Sequence, residues 1–304
     1  MNKIKFSILI TTKNRLEDLK ITLQKIAGII DRDDVEVLLY DDASTDGTFQ
    51  FIKEDYPDFQ IYRNEESKGL IHNRNVLLNS CSGIYAISLD DDAHFLTQNP
   101  LEIITDYFIK NPNCGLIACR IFWGKENPLT IQHHEKNEKV SGFVGCGHVW
   151  NLKAWKEIPN YPEWFVFYGE EEFASCHLFK KNIEIHYVPE LLVHHRVDVK
   201  NRKILSDYQQ RLRRSFRSGW YLFFIFVPVR FIPKKLAYSF WIQFKTKMIK
   251  GDWKATFAIL QAISDVVINF PKIIKARKSL TKKEYQSFMK LTPAKIYWNP
   301  KNEK

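Results

Sequence analysis

The chain has 304 residues, 45% of them hydrophobic and 26% charged, a composition that excludes disorder, collagen-like repeats and a disulfide miniprotein. The formal charge of +10 hides a division: residues 199–304 hold 24 Lys+Arg against 5 Asp+Glu, a net +19, which leaves −9 on the first 198 residues. An acidic N-terminal part is a poor nucleic-acid binder unless it recruits a cation, whereas a basic, aromatic-rich C-terminal part suits an anionic surface.

The five Cys, at positions 81, 114, 119, 146 and 176, form no CxxC pair, which argues against a disulfide framework and a structural zinc site and fits a reducing cytoplasm. The apolar run before Lys13 and Asn14 is too short for a signal sequence. The longest apolar stretch, Trp220 to Val229, falls short of the ~20 residues of a spanning helix.

Phe6 to Thr11 (FSILIT) is a continuous apolar run, as in a strand buried on both faces of a parallel sheet. Asn14 is placed to cap a helix in which Leu16, Leu19, Leu23 and Ile26 share a face and which ends near Gly28. Val35 to Tyr40 is a second strand, a short helix starts about Thr48, and Phe59 to Tyr62 is a third strand. Gly69 opens a helix through Leu78, and Ile84 to Leu89 runs as a fourth strand into Asp90-Asp91-Asp92. This alternation predicts an open, doubly wound α/β sheet with ligands beyond the carboxyl ends of its strands. Further on, the spacing predicts a helix over 101–109, a strand over 115–121, a strand and turn over 142–150, a helix over 170–180, and one or two strands over 183–195. In the loop 124–139, His133-His134 reads as a solvated pair. From Tyr208 the pattern turns helical, aromatic and basic.

Two acidic clusters, Asp41-Asp42 and Asp90-Asp91-Asp92, follow apolar strands directly. In a parallel sheet both emerge at one edge, where the carboxylates repel each other unless a cation or ligand donors compensate. Asp90 and Asp92 supply the hard oxygens that Mg²⁺ or Mn²⁺ prefers, and such an ion keeps open positions for phosphate oxygens. The implied ligand is a diphosphate. Neither GxxxxGK[ST] nor GxGxxG is present, so Asp41-Asp42 is the expected nucleoside contact, with Arg74 placed to reach the diphosphate.

SILITTKNR, YDDASTDGT, KGLIHNRN, ISLDDDA, YGEEEF and PELLVHH, in this order, resemble the family 2 glycosyltransferases. The resemblance runs from about residue 5 to 198 and implies the GT-A nucleotide-diphospho-sugar fold: a Rossmann-like, open, twisted mixed sheet flanked by helices. It implies transfer of one sugar, with inversion, from a nucleotide-diphosphate sugar to an acceptor hydroxyl. By motif position, Thr11, Arg15, Asp41 and Asp42 would hold the nucleoside, Arg74 and Asp91 would stand on the donor side, and Asp90 with Asp92 would form the DxD metal site. The acidic pair that supplies the family's general base falls in Glu170-Glu171-Glu172, where Glu171 is favoured and Glu170 is the alternative. The family's metal-side His falls on His195 or His194. The QxxRW motif of processive synthases is broken here, since Gln210-Arg211-Leu212-Arg213-Arg214 has Arg in place of Trp.

The expected organisation is a glycosyltransferase domain over 1–200, with a nucleotide half (1–98) and an acceptor half (99–200), and a helical membrane-associating extension over 201–304. The expected cofactor is Mn²⁺ or Mg²⁺. The expected partners are a nucleotide-diphosphate sugar, UDP-sugar favoured, a glycan or lipid-linked acceptor, and an anionic membrane reached through 208–290, with Trp220 and Phe224 in the lipid interface. No nucleic acid is expected. These expectations place the protein on the inner face of a bacterial cell membrane, in surface polysaccharide synthesis. A sugar nucleotidyltransferase is the competing enzyme reading, although TTKNRLEDLK lacks a glycine-rich activating loop. A non-catalytic membrane adaptor is the competing non-enzyme reading.

Overall fold

The computed structural model describes residues 4–197 and 207–302. Its nine strands are β1 (Phe6–Thr12), β2 (Val35–Asp41), β3 (Gln60–Arg63), β4 (Tyr85–Asp90), β5 (Ala93–Phe95), β6 (Cys114–Trp123), β7 (Glu138–Lys139), β8 (Gly147–Asn151) and β9 (Glu184–His195). They form one sheet in the order β3-β2-β1-β4-β8-β6-β9-β5, with β7 paired to β9. The first four are mutually parallel, as the continuous apolar runs of β1, β2 and β4 predict. β8 then runs antiparallel to both β4 and β6, which makes the sheet mixed.

The helices of this half are α1 (Leu16–Lys25), α2 (Ala27–Ile30), α3 (Thr48–Asp55), α4 (Leu70–Ser80), α5 (Pro100–Lys110), α6 (Leu152–Lys156) and α7 (Glu170–Lys180). The sheet separates two apolar layers. One contains Phe6, Ile8, Ile10, Leu19, Leu23 and Ile104, and the other Leu9, Leu38, Ile71, Trp150, Phe165 and Tyr187. Alternate residues of β1 thus enter opposite layers, as the two-residue period of a strand requires. Asn14 does not cap α1. It adopts φ 51°, its side-chain carbonyl accepts from Thr45 N at 2.7 Å, and its own backbone N–H donates to Ser44 Oγ, so it staples the first turn to the one after β2.

The C-terminal helices are α8 (Tyr208–Phe226), α9 (Ile232–Gln243), which continues into a π-helical turn, α10 (Trp253–Ile268), α11 (Phe270–Ala276) and α12 (Lys282–Phe288). Tyr221, Leu222, Ile225 and Phe226 of α8 and Ile273 of α11 belong to the same apolar layer as Trp150 and Phe173. The last residues return to the sheet: Trp298 N–H donates to the Ile121 carbonyl, and Val140 bridges Thr292. The run Trp220 to Val229 is therefore largely interior. Trp220 is buried against Ile259 and Ala262, and Phe224 is half-buried. The exposed apolar side chains are others, including Tyr238, Phe240, Trp241, Phe244, Trp253, Phe257 and Val267. Among the described residues no single helix is long and apolar enough to cross a membrane, while α10 and α11, bent by 63° to each other, meet the length and composition only together.

Candidate active site

The site grows out of strand ends. β1 lies between β2 and β4, with Thr12 opposite Asp41 and Thr11 opposite Asp90, so both acidic clusters reach one edge beside Thr11. The antiparallel pair β4·β8 matches Leu89 with Gly147, which brings Cys146 alongside Asp90. β5 matches Ala93 with His195, which brings that imidazole to the same place. Asp90, Cys146 and His195 offer ligand atoms that all lie within 4.8 Å of one another.

Asp92 is fully buried behind Asp90, with Arg15 Nη2 donating to its Oδ2 at 2.6 Å and its Oδ1 3.0 Å from His195 Nε2. Asp90 Oδ2 lies 3.7 Å from the same nitrogen. Burial alone would raise the Asp92 carboxyl, but His195 and Arg15 hold it well below the ordinary carboxylate range. Burial opposes a charge on His195, yet Cys146 and Asp92 lift its pKa to about 11. Asp91 is buried too. Desolvation raises its carboxyl above the ordinary range, against the pull of Arg15, whose Nη1 stands 3.2 Å from Asp91 Oδ1.

His194 does not join this group. Strand alternation turns it to the other face of β9, where Nε2–H donates to the Gly124 carbonyl at 2.8 Å and the ring rests against His94 and Phe122. Asp42 is held inside the first half, accepting from Asn64, Ser67 and the backbone N–H groups of Lys68 and Gly69. That set keeps its carboxyl below the ordinary range although burial opposes it. Asp41 is fully buried, caps the turn by accepting from Ser44 N, and has Arg63 Nε 3.4 Å away.

Arg74 of α4 joins the two halves. Its guanidinium is buried and donates to Asp90 Oδ1 at 2.8 Å, Glu170 Oε1 at 3.0 Å and the Gly145 carbonyl at 2.9 Å. Burial opposes its charge, and Asp90, Glu170 and Glu171 keep it protonated. A Cβ on Gly145 would lie 2.6 Å from Arg74 Nη1 and 2.8 Å from Glu171 Oε1, so a larger residue there would displace the ends of both side chains. Glu170, Glu171 and Glu172 open α7 after Gly169, at φ 89°. Glu170 is buried, Glu171 half-buried and Glu172 exposed. Burial, then the neighbouring Glu171 charge, raises the Glu170 carboxyl to about 8, against the pull of Arg74.

Among the described residues, His195 Nδ1 and Glu170 Oε2 are buried without a hydrogen-bond partner, while Asp92 Oδ1 and Asp41 Oδ2 have only their ion-pair contacts with His195 and Arg63. Asp90, Cys146 and His195, whose ligand atoms converge, offer oxygen, sulfur and nitrogen donors that fit a divalent cation. The residue that sequence reasoning missed is Cys146. As one of five scattered cysteines it gave no local signal, and only the β4·β8 register identifies it.

The family model described as Glycosyl transferase family 2 matches residues 7–179. The chain is 34% identical over 139 residues to a chondroitin synthase of Escherichia coli, covering 43% of this chain and a fifth (20%) of that protein's length. A mannosyltransferase from Pyrobaculum calidifontis, in complex with GDP-Man and Mn²⁺, superposes with a TM-score of 0.55 at 15% identity, over 95% of this chain and 84% of its own. GalNAc-T7, with UDP, GalNAc and Mn²⁺, superposes with a TM-score of 0.57 at 17% identity, over 74% and 48%. S. aureus TarS gives 0.52 at 16% identity, over 69% and 38%. These structural likenesses show the GT-A glycosyltransferase fold, and the family match over more than half of the sequence settles the assignment: the chain belongs to glycosyl transferase family 2.

Proposed function

We propose that the protein transfers one sugar, with inversion, from a nucleotide-diphosphate sugar to a hydroxyl of a glycan or lipid-linked acceptor, using a divalent ion. The observation that carries this reading is the convergence of Asp90, Cys146 and His195 at the sheet edge, joined through Arg74 to the carboxylates that open α7. Asp90 and His195, with Cys146 and Asp92 beside them, would hold Mn²⁺ or Mg²⁺. Such an ion supplies positive charge to the leaving diphosphate.

The chain's own residues take the remaining roles. Thr11, Arg15, Asp41 and Asp42 border the nucleoside side. Arg74 fixes Asp90 and Glu170 relative to each other, reaching the donor side through Asp90. Glu171 is the group to take the acceptor proton, because it is half-open to solvent while Glu170 is buried on Arg74. Inversion follows from a single displacement with the base opposite the leaving group. The basic, aromatic C-terminal helices favour a position at the inner face of a membrane and a role in bacterial surface polysaccharide synthesis. Between donors, UDP-sugars are the first choice.

The test is release of nucleoside diphosphate from UDP-, GDP- and dTDP-sugars, with Mn²⁺ and in excess chelator. Release from one sugar class in Mn²⁺ alone is expected. Full activity in chelator contradicts the metal role, and no release from any donor with any acceptor glycan contradicts the enzyme reading.

A further inference from the structure

The two faces of α9 border two different clefts. Leu236, Ala237, Phe240, Trp241 and Phe244 share one face, at helical spacing, and with Trp220 and Phe224 of α8 and Ile263, Val266 and Val267 of α10 they wall a groove of 670 Å³. Every one of these side chains is apolar or aromatic. Phe240, Trp241, Phe244, Ile263 and Val267 remain exposed along it, a continuous patch that a chain of this polarity does not present without an occupant. Lys234, Lys235, Tyr238, Ser239, Ile242 and Gln243 share the other face, and with Phe223, Phe231 and Tyr285 they wall a second cleft of 630 Å³. Both volumes lie in the range of small-ligand sites.

The second cleft holds two ammonium groups, hydroxyls and an amide, and none of the residues walling either cleft is acidic. The neighbouring carboxylate, Glu284, is turned away to cap α12 on Thr281 and stands 3.9 Å from Lys180. The cationic cleft also adjoins the acid helix. Tyr285 belongs to α12, which packs on α7 through Phe179 and Phe288, with ring centres 5.1 Å apart. Lys235 Nζ lies over the rings of Phe223 and Tyr285, 5.2 and 5.5 Å from their centres, on the side of the cleft that α12 forms.

An apolar channel and a cationic cleft separated by one exposed helix match an amphiphile with a long hydrocarbon chain and an anionic head. We propose that the acceptor is a sugar-bearing lipid phosphate, its chain in the groove between α8, α9 and α10 and its phosphate at Lys234 and Lys235. This identity of the acceptor rests on the glycosyl-transfer reading, while the lipid phosphate site itself does not.

The experiment is equilibrium binding to the full chain of hexadecyl phosphate, hexadecanol and inorganic phosphate, all below micellar concentrations. Hexadecyl phosphate is expected to bind at least ten-fold tighter than either of the others. Val267→Glu combined with Trp241→Glu, both at exposed positions, should weaken both amphiphiles ten-fold or more. Lys234→Glu combined with Lys235→Glu should weaken hexadecyl phosphate to the level of hexadecanol and leave hexadecanol unchanged. Stabilisation of each variant by UDP with Mn²⁺ is measured in parallel. Unchanged hexadecyl phosphate affinity in both variants overturns the proposal, as does inorganic phosphate binding as tightly as the amphiphile. Binding to phosphatidylglycerol vesicles without binding to monomeric hexadecyl phosphate also overturns it, since the groove then docks on a bilayer surface. Failure of UDP and Mn²⁺ to stabilise the unmodified protein sinks the glycosyl-transfer reading and leaves the lipid measurement standing.

Discussion

Glu170 and Glu171 are neighbours in the chain with different surroundings, and the difference predicts separate behaviour. Glu171→Gln should leave donor affinity nearly unchanged and lower turnover by roughly 10²- to 10⁴-fold, the scale of a positioned base. A larger loss at Glu170→Gln or Glu172→Gln, in the same steady-state assay, would move the base to that residue. Glu170 has a signature in stability. Its carboxyl titrates near 8 when folded and near ~4.3 when unfolded, so the folded state keeps a proton that the unfolded state releases between those values. Stability therefore falls as pH rises through that window, by up to about 1.4 kcal/mol per pH unit. Urea titrations from pH 5 to 8 should show this slope, and Glu170→Gln should reduce it to the part that buried Asp91 contributes. Cys146 makes a spectroscopic prediction. A thiolate ligand favours softer ions, so Co²⁺ should bind with a sulfur-to-metal charge-transfer band that disappears in Cys146→Ser, whereas an unchanged spectrum would remove the sulfur from the metal's surroundings.

At the scale of elements, α8 is bound to the core and not appended to it. Tyr221 is fully buried, its hydroxyl donates to the Asp265 carbonyl at 3.1 Å, and Arg213 forms a two-point ion pair with Asp265 on α10. Tyr221→Ala should cost roughly 3–5 kcal/mol, the range for emptying a large aromatic site. Thermal unfolding of the variant checks this, and a loss under 1 kcal/mol would show that α8 packs loosely. For the same reason a chain ending near residue 200 should expose the Trp150 and Phe173 layer and aggregate. The first half was readable in the sequence because buried parallel strands are continuous apolar runs, and Phe6 to Thr11 and Val35 to Tyr40 lie in the observed strands. α7 was readable over Glu170–Lys180 from its acidic first turn and Gly169. Cys146 was not, because the register that brings it to Asp90 pairs strands some 60 residues apart in a way no local spacing records. Nor was the place of α8: an apolar run such as Trp220 to Val229 suits a lipid interface and a protein core equally, and only packing decides between them.

On the scale of the molecule, charge and exposed apolar surface divide the labour. The first 198 residues carry a net −9 and include the carboxylate edge, and the net +19 of the remainder accompanies the exposed aromatics of α9 and α10. Each basic residue near an anionic leaflet contributes about 1 kcal/mol at low salt, and this attraction is screened within a Debye length. In flotation with anionic liposomes, raised salt should release part of the protein, and Trp253→Glu with Phe257→Glu, at exposed positions of α10 outside the groove, should release the rest. Equal flotation on neutral and anionic vesicles would remove electrostatics from the account. The glycosyl-transfer reading depends on the carboxylate edge holding a nucleotide through a metal, and one measurement addresses that directly: thermal unfolding of the full chain with UDP, with Mn²⁺ and with both. A ligand bound only to the folded state at a hundred times its Kd stabilises by about 2.7 kcal/mol, so UDP and Mn²⁺ together should raise Tm by several degrees, each alone by little, and Asp90→Ala should abolish the joint effect. An equal rise with UDP in excess chelator, or no rise with UDP, GDP or dTDP in Mn²⁺, would contradict it.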